Sequence, residues 1–273
     1  MSLCSVCDSS TDQPCQACRL QPEEYHGVKD AWLIHRREDA DIAYDRGVTV
    51  QWAVAAMPGG IVAVWDRQHQ RFLVTAKQVP ADARRYAWLE VTTACPHRCR
   101  HCFLGSRLGH GHVPLADVEN AISAAAALGV DEIVLTGGEP TMHPHFVTIL
   151  EGARQTGVAV RVLTNGWTQR EAVVTALAAP GVQVEIPLLG WTEEHDRMTR
   201  TPGSFQRVTD TLRIYQSRGI ALTLTTTLTR AGMRALPALR QLAGELGVPL
   251  APSSLVRQGT AVENWEEIAP TGS

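Results

Sequence analysis

Three cysteines in one short loop are the residues whose types and spacing best suit chemistry. Cys95, Cys99 and Cys102 form a C-x3-C-x2-C array directly after the apolar run Trp88 to Val91. Iron–sulfur clusters are usually held by four thiolates, so a loop with three suggests a cluster with one iron open to another ligand. A structural zinc site usually has four protein ligands, so three cysteines match it less well. A chance group of reduced thiols is the other, less favoured interpretation.

A second group of cysteines lies at the N-terminus as two C-x2-C pairs, Cys4 with Cys7 and Cys15 with Cys18. Each pair can present two sulfurs from one turn to a metal ion. The seven residues between the pairs are fewer than the roughly 15–20 of common zinc ribbons. Zinc and a second iron–sulfur cluster therefore both stay open. All seven cysteines fall in these two groups, which in a reducing compartment favours metal binding over disulfides.

The composition is that of a soluble globular protein, with 44% hydrophobic and 19% charged residues in a chain of 273. The net charge of −3 lacks the basic excess of proteins that bind phosphate backbones, so nucleic acid is an unlikely partner. The N-terminus does not read as a secretory signal, and no apolar run is long enough to span a bilayer. These features predict a cytoplasmic protein with no membrane partner.

Alternating patterns predict the elements that must position the three cysteines. Apolar and β-branched runs after the loop predict strands at 132–136, 158–163, 182–186, 221–225 and 248–250, which follow the strand at Trp88. Apolar residues spaced at three and four positions predict five helices between these strands. Glycines stand where helices would end, at Gly129, Gly157, Gly219 and Gly247. Six strands alternating with five helices predict a parallel sheet with right-handed crossovers.

The chain divides into four segments on this pattern. Residues 1–20 carry the paired cysteines, and residues 21–80 contain four short strand-like runs that predict a small antiparallel β module. A linker around 80–85 precedes the main α/β domain at 86–259. Residues 260–273 are expected to be a short tail.

The three-cysteine loop resembles the cluster loop of the radical S-adenosylmethionine (SAM) enzymes, and four further motifs support the likeness. Gly137-Gly138-Glu139-Pro140 after the second strand matches the family's GGEP motif, and Thr164-Asn165-Gly166 after the third matches its T-N-G turn. The H-D-R and G-S-F segments, His195 to Arg197 and Gly203 to Phe205, are similar to those of peptide-modifying relatives of the SPASM type. The resemblance implies a (β/α)6 partial barrel, here without the Cys-rich C-terminal extension of those relatives.

The resemblance also implies roles for individual residues. Cys95, Cys99 and Cys102 would hold a [4Fe–4S] cluster, and His101 would lie near the adenine of SAM. The amino group of SAM would meet the turn made by Gly137, Gly138, Glu139 and Pro140, and Asn165 would contact the ribose or methionine part.

The fourth strand departs from the family's pattern. Pro187 and Leu189 replace the usual Ser and Asp. Glu185, two positions earlier on the same strand face, is expected to supply a carboxylate near the ribose instead. His195, Asp196 and Arg197 are expected to hold the loop before the next helix, and no protein residue need act as a general base.

The activity that the resemblance implies is reductive cleavage of SAM at the cluster, with a 5′-deoxyadenosyl radical that takes a hydrogen atom from a substrate. An electron donor such as flavodoxin or ferredoxin is the implied partner. A ribosomally made peptide is the expected substrate because of the H-D-R and G-S-F segments. The alternative is a small metabolite, a nucleoside or a tRNA, favoured by the missing Asp and the short C-terminus. A catalytically inactive metal-binding module is the third hypothesis, and the intact cysteines and Gly-Gly-Glu-Pro speak against it.

Overall fold

Strands and helices are described for most of the chain in a computed structural model. The structure describes residues 85–127 and 129–270 and, ahead of them, the backbone of five strands. These strands are β1 (Ala31–His35), β2 (Asp41–Asp45), β3 (Trp52–Ala56), β4 (Val62–Asp66) and β5 (Arg71–Thr75). The predictions for Cys4, Cys7, Cys15 and Cys18, and for most of the linker, lie outside the described residues.

Six parallel strands form the main part of the sheet, as the alternating pattern predicts. They are β6 (Arg85–Glu90), β7 (Glu132–Thr136), β8 (Ala159–Leu163), β9 (Val182–Pro187), β10 (Ala221–Thr227) and β11 (Leu250–Ser253). Each pairs in parallel with the next, so their spatial order follows the sequence. The fold class predicted from the sequence is confirmed.

Seven helices connect or follow these strands in the described residues. They are α1 (Leu115–Ala127), α2 (Phe146–Gln155), α3 (Glu171–Leu177), α4 (Glu193–Thr199), α5 (Ser204–Ser217), α6 (Arg230–Leu246) and α7 (Thr260–Ile268). The five predicted helices correspond to α1, α2, α3, α5 and α6. Helix α4 is additional, and α7 occupies residues that the sequence pattern assigns to a tail.

The N-terminal strands join the main sheet rather than standing apart from it. Strand β3 runs antiparallel to β6, with Ala53 opposite Trp88, and β4 and β5 follow at its outer side. The result is one nine-stranded sheet in the order β11-β10-β9-β8-β7-β6-β3-β4-β5, while β1 and β2 form a separate antiparallel pair. The antiparallel pairing was predicted, but its continuity with the main domain was not.

Alternation along the strands separates two faces of the sheet. Leu89, Ile133 and Val162 belong to one buried cluster with apolar residues of the helices, such as Phe146 of α2 and Leu212 of α5. Successive side chains of a strand point to opposite faces, so their neighbours lie on the other face.

That other face carries polar and exposed side chains. Trp88 is 40% exposed there, and Arg161 and Glu185 are half-buried. The four glycines predicted as helix ends all have positive φ, between +66° and +77°, as left-handed caps require. Among the described residues, no helix has the length and apolar character needed to cross a membrane.

Candidate functional site

The three cysteines lie at the edge of the sheet where its parallel strands end, the edge that carries the chemistry in barrel-like α/β folds. Cys95, Cys99 and Cys102 follow β6 and are half-buried with free thiols. Burial raises the pKa of all three thiols, that of Cys95 to about 12, and repulsion between neighbouring thiols adds to the rise for Cys95 and Cys99. Three thiolates at this place therefore need a positive centre to neutralise them.

The donors at this edge fit an iron–sulfur cluster. Thiolates are the soft ligands that such clusters use. Within the described ranges, no three His, Cys, Asp or Glu side chains converge on a position for a single metal ion. A cluster places each cysteine on a different iron and does not require such convergence. His101, beside Cys102, has a buried Nδ1 with no hydrogen-bond partner among the described residues, and burial lowers its pKa to about 4, so the ring is neutral.

Helix α4 holds one side of the cysteine loop by its last carbonyl groups. The backbone N–H of Arg100 donates to the Met198 carbonyl at 2.8 Å, and that of Arg98 donates to the Thr199 carbonyl at 3.1 Å. Nδ1 of His97 lies 2.8 Å from Oγ1 of Thr201, just beyond the helix. These bonds fix the loop between its first and last cysteine.

Helix α7 holds another side by its first two turns. The backbone N–H of Thr260 donates to the Cys102 carbonyl at 3.0 Å, and its Oγ1 donates to the Cys99 carbonyl at 2.8 Å. Nδ2 of Asn264 donates to the Arg100 carbonyl at 3.2 Å. At Gly259, a Cβ would lie only 2.1 Å from the Cys102 carbonyl oxygen, so this contact requires glycine. Sequence reasoning missed α7, because its residues match no motif of the family.

The Gly137-Gly138 turn after β7 packs directly on the backbone that precedes Cys95. A Cβ on either glycine would lie 2.3 Å from a carbonyl oxygen, that of Thr92 or that of Ala94. The backbone N–H groups of Gly138 and Glu139 donate to the same two carbonyls, both at 2.7 Å. The two glycines thus permit a close approach, and the partner that the structure shows is the cysteine loop itself.

Glu139 is fully buried in a set of hydrogen-bond donors. Oε1 accepts from Thr141 N at 3.1 Å, Thr141 Oγ1 at 2.5 Å and Thr164 Oγ1 at 2.7 Å, and Oε2 accepts from Asn165 N at 2.7 Å. Burial raises the pKa of the carboxyl, and the hydrogen bonds from Thr141, Asn165 and Thr164 oppose the rise. Pro140, also buried, begins a short 3-10 turn after it. Direct contact of Glu139 with SAM stays a prediction.

Asn165 lies in the loop after β8 and contacts the cysteine loop. Its Nδ2 lies 3.7 Å from Sγ of Cys95, and its Oδ1 accepts from Trp167 N at 2.9 Å. The structure therefore brings Asn165, Glu139 and Cys95 together, as the sequence motifs predict, and adds Thr164 to the group. Thr164 is the first residue of the T-N-G turn, so that motif could have indicated it.

Glu185 is engaged on the polar face of the sheet. Its Oε1 accepts from Nη1 of Arg161 at 2.8 Å, and the same guanidinium is paired with Glu132. Arg161 also lies over the ring of Tyr86, 5.7 Å from its centroid. Arg161 was not predicted. A charged residue between Val160 and Val162 in an otherwise apolar strand is the signal that could have revealed it.

The fourth-strand region accounts for one of the two departures from the family's pattern, Leu189 in place of Asp. Leu189 is buried with Met198 and Ala261 in a small apolar cluster, and its backbone N–H donates to Nδ1 of His195 at 3.1 Å. Asp196 accepts from Gly203 N, Ser204 Oγ and Phe205 N, at 2.6, 2.9 and 2.8 Å. Asp196 therefore joins α4 to the start of α5, and His195 joins α4 to the loop that follows β9, whereas Arg197 is exposed.

Comparison with known proteins agrees with this arrangement. The model of the Radical SAM superfamily matches residues 89–234, a span that contains the three cysteines, the Gly137-Gly138 turn and Asp196. The chain belongs to the radical SAM superfamily. Radical SAM proteins use a [4Fe–4S] cluster and SAM, and the three cysteines here are suitable ligands for such a cluster.

Two relatives of this radical SAM chain are similar to it over about two thirds of its length. It is 32% identical over 199 residues to the PqqA peptide cyclase of Ruegeria pomeroyi, covering 71% of this chain and 52% of the relative. It is 30% identical over 185 residues to the mycofactocin maturase MftC of Mycobacterium tuberculosis, covering 67% of this chain and 47% of the relative. The chain thus spans about half the length of these relatives.

A solved structure shares the radical SAM fold. Streptococcus suis SuiB bound to its precursor peptide SuiA superposes with a TM-score of 0.58 at 17% identity, over 62% of this chain and 39% of that one. At this identity the likeness concerns the fold.

Proposed function

We propose that this chain is a radical SAM enzyme that cleaves SAM reductively and removes a hydrogen atom from a peptide substrate. The observation that carries the proposal is the group of three free cysteines at the edge where the loops after β6, β7 and β8 meet. In this proposal Cys95, Cys99 and Cys102 hold a [4Fe–4S] cluster. A cluster held there would supply the one electron needed for reductive cleavage of the sulfonium–C5′ bond of SAM, which gives methionine and the 5′-deoxyadenosyl radical.

The SAM site in this proposal lies over the loops that follow β6 to β9. His101, with its unpartnered Nδ1, lies near the adenine. The half-buried backbone of Gly137 and Gly138 receives the ammonium group, while Glu139 and Pro140 shape that turn from beneath.

Two further residues complete the SAM site that we propose. Asn165 borders the methionine side, next to Cys95. Glu185 lies near the ribose with its carboxylate oriented by Arg161. A carboxylate held in this way keeps its position without water reorganising around it, which suits recognition of hydroxyl groups.

A peptide is the substrate class that the relatives support. One relative is named a peptide cyclase and another a maturase. The H-D-R and G-S-F segments of this chain resemble those of peptide-modifying enzymes. A small metabolite or a nucleoside is less well supported. A one-electron carrier such as flavodoxin or ferredoxin supplies the electron in this proposal.

Anaerobic SAM cleavage tests the proposed chemistry. Reconstituted protein with a strong reductant and SAM should release 5′-deoxyadenosine and methionine, and Cys95→Ala, Cys99→Ala and Cys102→Ala should each abolish the release. Ser106→Ala is the matched control, because Ser106 is exposed in the turn that follows the cysteines. Undiminished turnover in any one cysteine variant would overturn the assignment.

The substrate class needs a separate test. A deuterated synthetic peptide, taken from a short reading frame beside this gene, should transfer deuterium to 5′-deoxyadenosine. Deuterium transfer only from a small metabolite or a tRNA would contradict the peptide assignment and leave SAM cleavage unaffected.

We further propose that Cys4, Cys7, Cys15 and Cys18 bind a second metal centre. Four thiolates form a closed site, which suits a second iron–sulfur cluster or a structural zinc. A variant with Cys95, Cys99 and Cys102 all changed to Ala, purified without oxygen, isolates this centre. Residual iron with matching sulfide would identify a cluster, one equivalent of zinc would identify a structural site, and neither metal above background would refute the proposal.

A further inference from the structure

The side-chain amide of Asn165 has a defined orientation. Its Oδ1 is 2.9 Å from the backbone nitrogen of Trp167, which can only donate a hydrogen bond. The oxygen and nitrogen of an amide are assigned from such partners, and this one places the oxygen toward Trp167. The Nδ2 group must therefore be the one that faces Sγ of Cys95, at 3.7 Å.

Glu139 holds both ends of this contact, one through its buried carboxylate and the other through its backbone N–H. On one side, Oε2 of Glu139 accepts from the backbone N–H of Asn165 at 2.7 Å. On the other, the backbone N–H of Glu139 donates to the carbonyl of Ala94, the residue before Cys95, also at 2.7 Å. Because Glu139 is 0% exposed, water cannot compete for these bonds. Asn165 and Cys95 are thus held at a fixed distance.

A donor aimed at a cysteine sulfur affects the iron that this sulfur binds. Adding an electron makes the thiolates of a cluster more negative, and a hydrogen bond to the sulfur stabilises that charge. Hydrogen bonds to the sulfurs are among the factors that set the reduction potential of a cluster.

We propose that Asn165 is a positioning residue that donates a hydrogen bond to the Cys95 thiolate and raises the reduction potential of the cluster. The inference rests on the proposed function, since it presupposes a cluster on Cys95. It gives the Asn165 amide a partner in the protein itself, whereas the sequence motif suggests a contact with the ribose or methionine of SAM. Glu139 acts through Asn165 by fixing its backbone.

A redox titration of the cluster without SAM tests the inference. Asn165→Ser retains an oxygen that can accept from the backbone N–H of Trp167, but its short side chain cannot reach the sulfur. Asn165→Asp retains the shape and replaces the donor by a carboxylate. Both variants should hold iron and sulfide at the wild-type level and titrate at a lower midpoint potential, with the Asp variant lower than the Ser variant.

Gln169→Ala is the matched control for the titration. Gln169 is an exposed amide in the same loop and donates to Thr211 rather than to a cysteine, so its loss should leave the potential unchanged. Full iron content with the wild-type midpoint in both Asn165 variants would overturn the inference.

A second measurement uses the wild-type sequence and does not depend on how the variants fold. Protein labelled with 15N only at asparagine should show a 15N coupling to the reduced cluster in pulsed electron paramagnetic resonance. Its absence from a sample with full iron content would overturn the inference alone. A wild-type protein that holds no cluster would overturn the proposed function and the inference with it.

Discussion

The cysteine loop is held by two regions that differ in burial and in charge. On one side, the loops after β7 and β8 meet around Glu139, which is 0% exposed and accepts four hydrogen bonds. On the other side, the first two turns of α7 use the neutral donors of Thr260, which is half-buried, and of Asn264. Hydrogen bonds to a buried charge stabilise more than neutral ones do, so we expect the first region to tolerate change least.

The difference also separates two tasks. The Glu139 region orients a side chain. Its carboxylate binds the backbone N–H of Asn165, and the side-chain amide of Asn165 faces the Cys95 sulfur. The α7 region fixes the course of the backbone, since its donors bind the carbonyls of Cys99, Arg100 and Cys102. Substitutions on each side should therefore have effects of different size and kind.

The largest effect is expected for Glu139→Ala. The change leaves the donors of Thr141, Thr164 and Asn165 buried without an acceptor, and should lower the free energy of unfolding by about 3 kcal/mol or more. Urea unfolding of the cluster-free protein measures it. Glu139→Gln should lose less, because one acceptor oxygen remains. Glu119→Ala, at an exposed position of α1, serves as the control. A loss below about 1 kcal/mol for Glu139→Ala would remove the distinction between the two regions.

Gly259→Ala should come next. Gly259 has φ of +57°, and the new Cβ would meet the Cys102 carbonyl oxygen, so α7 must shift. We expect a loss of about 1–3 kcal/mol, together with faster removal of iron by a chelator. Gly244→Ala in α6 is the matched control, because no atom lies within 4 Å of its added Cβ. That variant should be slightly stabilised, since alanine favours helices over glycine. Equal chelation rates for both variants would argue against a role of α7 at the cluster loop.

A smaller effect is expected for Thr260→Val, which keeps the shape of the side chain and removes its hydroxyl donor. The carbonyls of Cys99 and Cys102 lose one partner, and the free energy of unfolding should fall by about 1 kcal/mol. Val262→Ala tests the same helix at an exposed position and should change stability little. If both variants unfold at the same urea concentration, the hydroxyl has no structural role.

The smallest effect concerns Asp196, which joins α4 to α5 beside the loop. Burial raises the pKa of its carboxyl, but hydrogen bonds from Phe205, Gly203 and Ser204 lower it more, so the net pKa is below the usual value. A lowered pKa contributes stability above the unfolded-state value, near 3.9, and that contribution is lost as pH falls through the folded-state value. Wild type should therefore exceed Asp196→Asn in stability at pH 6, and the difference should shrink below about pH 4. A difference that grows on acidification would contradict this sign.

Most of the main domain could be predicted from sequence because its signals are local. The apolar residues of β7 to β10 and of α2 and α5 recur at the strand and helix periods, and Gly129 and Gly157 mark helix ends. Helix α4 is a seven-residue element whose polar residues hide its period. The pairing of β3 with β6 joins segments about 30 residues apart, and no local pattern encodes it.

By itself, the sequence determined that three cysteines share one loop and that Gly-Gly-Glu-Pro and Thr-Asn-Gly follow the next two strands. Only the tertiary structure decided what these residues contact. Glu139 meets Thr164 across 25 positions, and Thr260 meets Cys99 across 161, so neither contact has a periodicity that a sequence window could reveal. Residue types fix which bonds a side chain can make. Burial decides whether water or the protein provides the partner, and burial depends on every element that packs around the site.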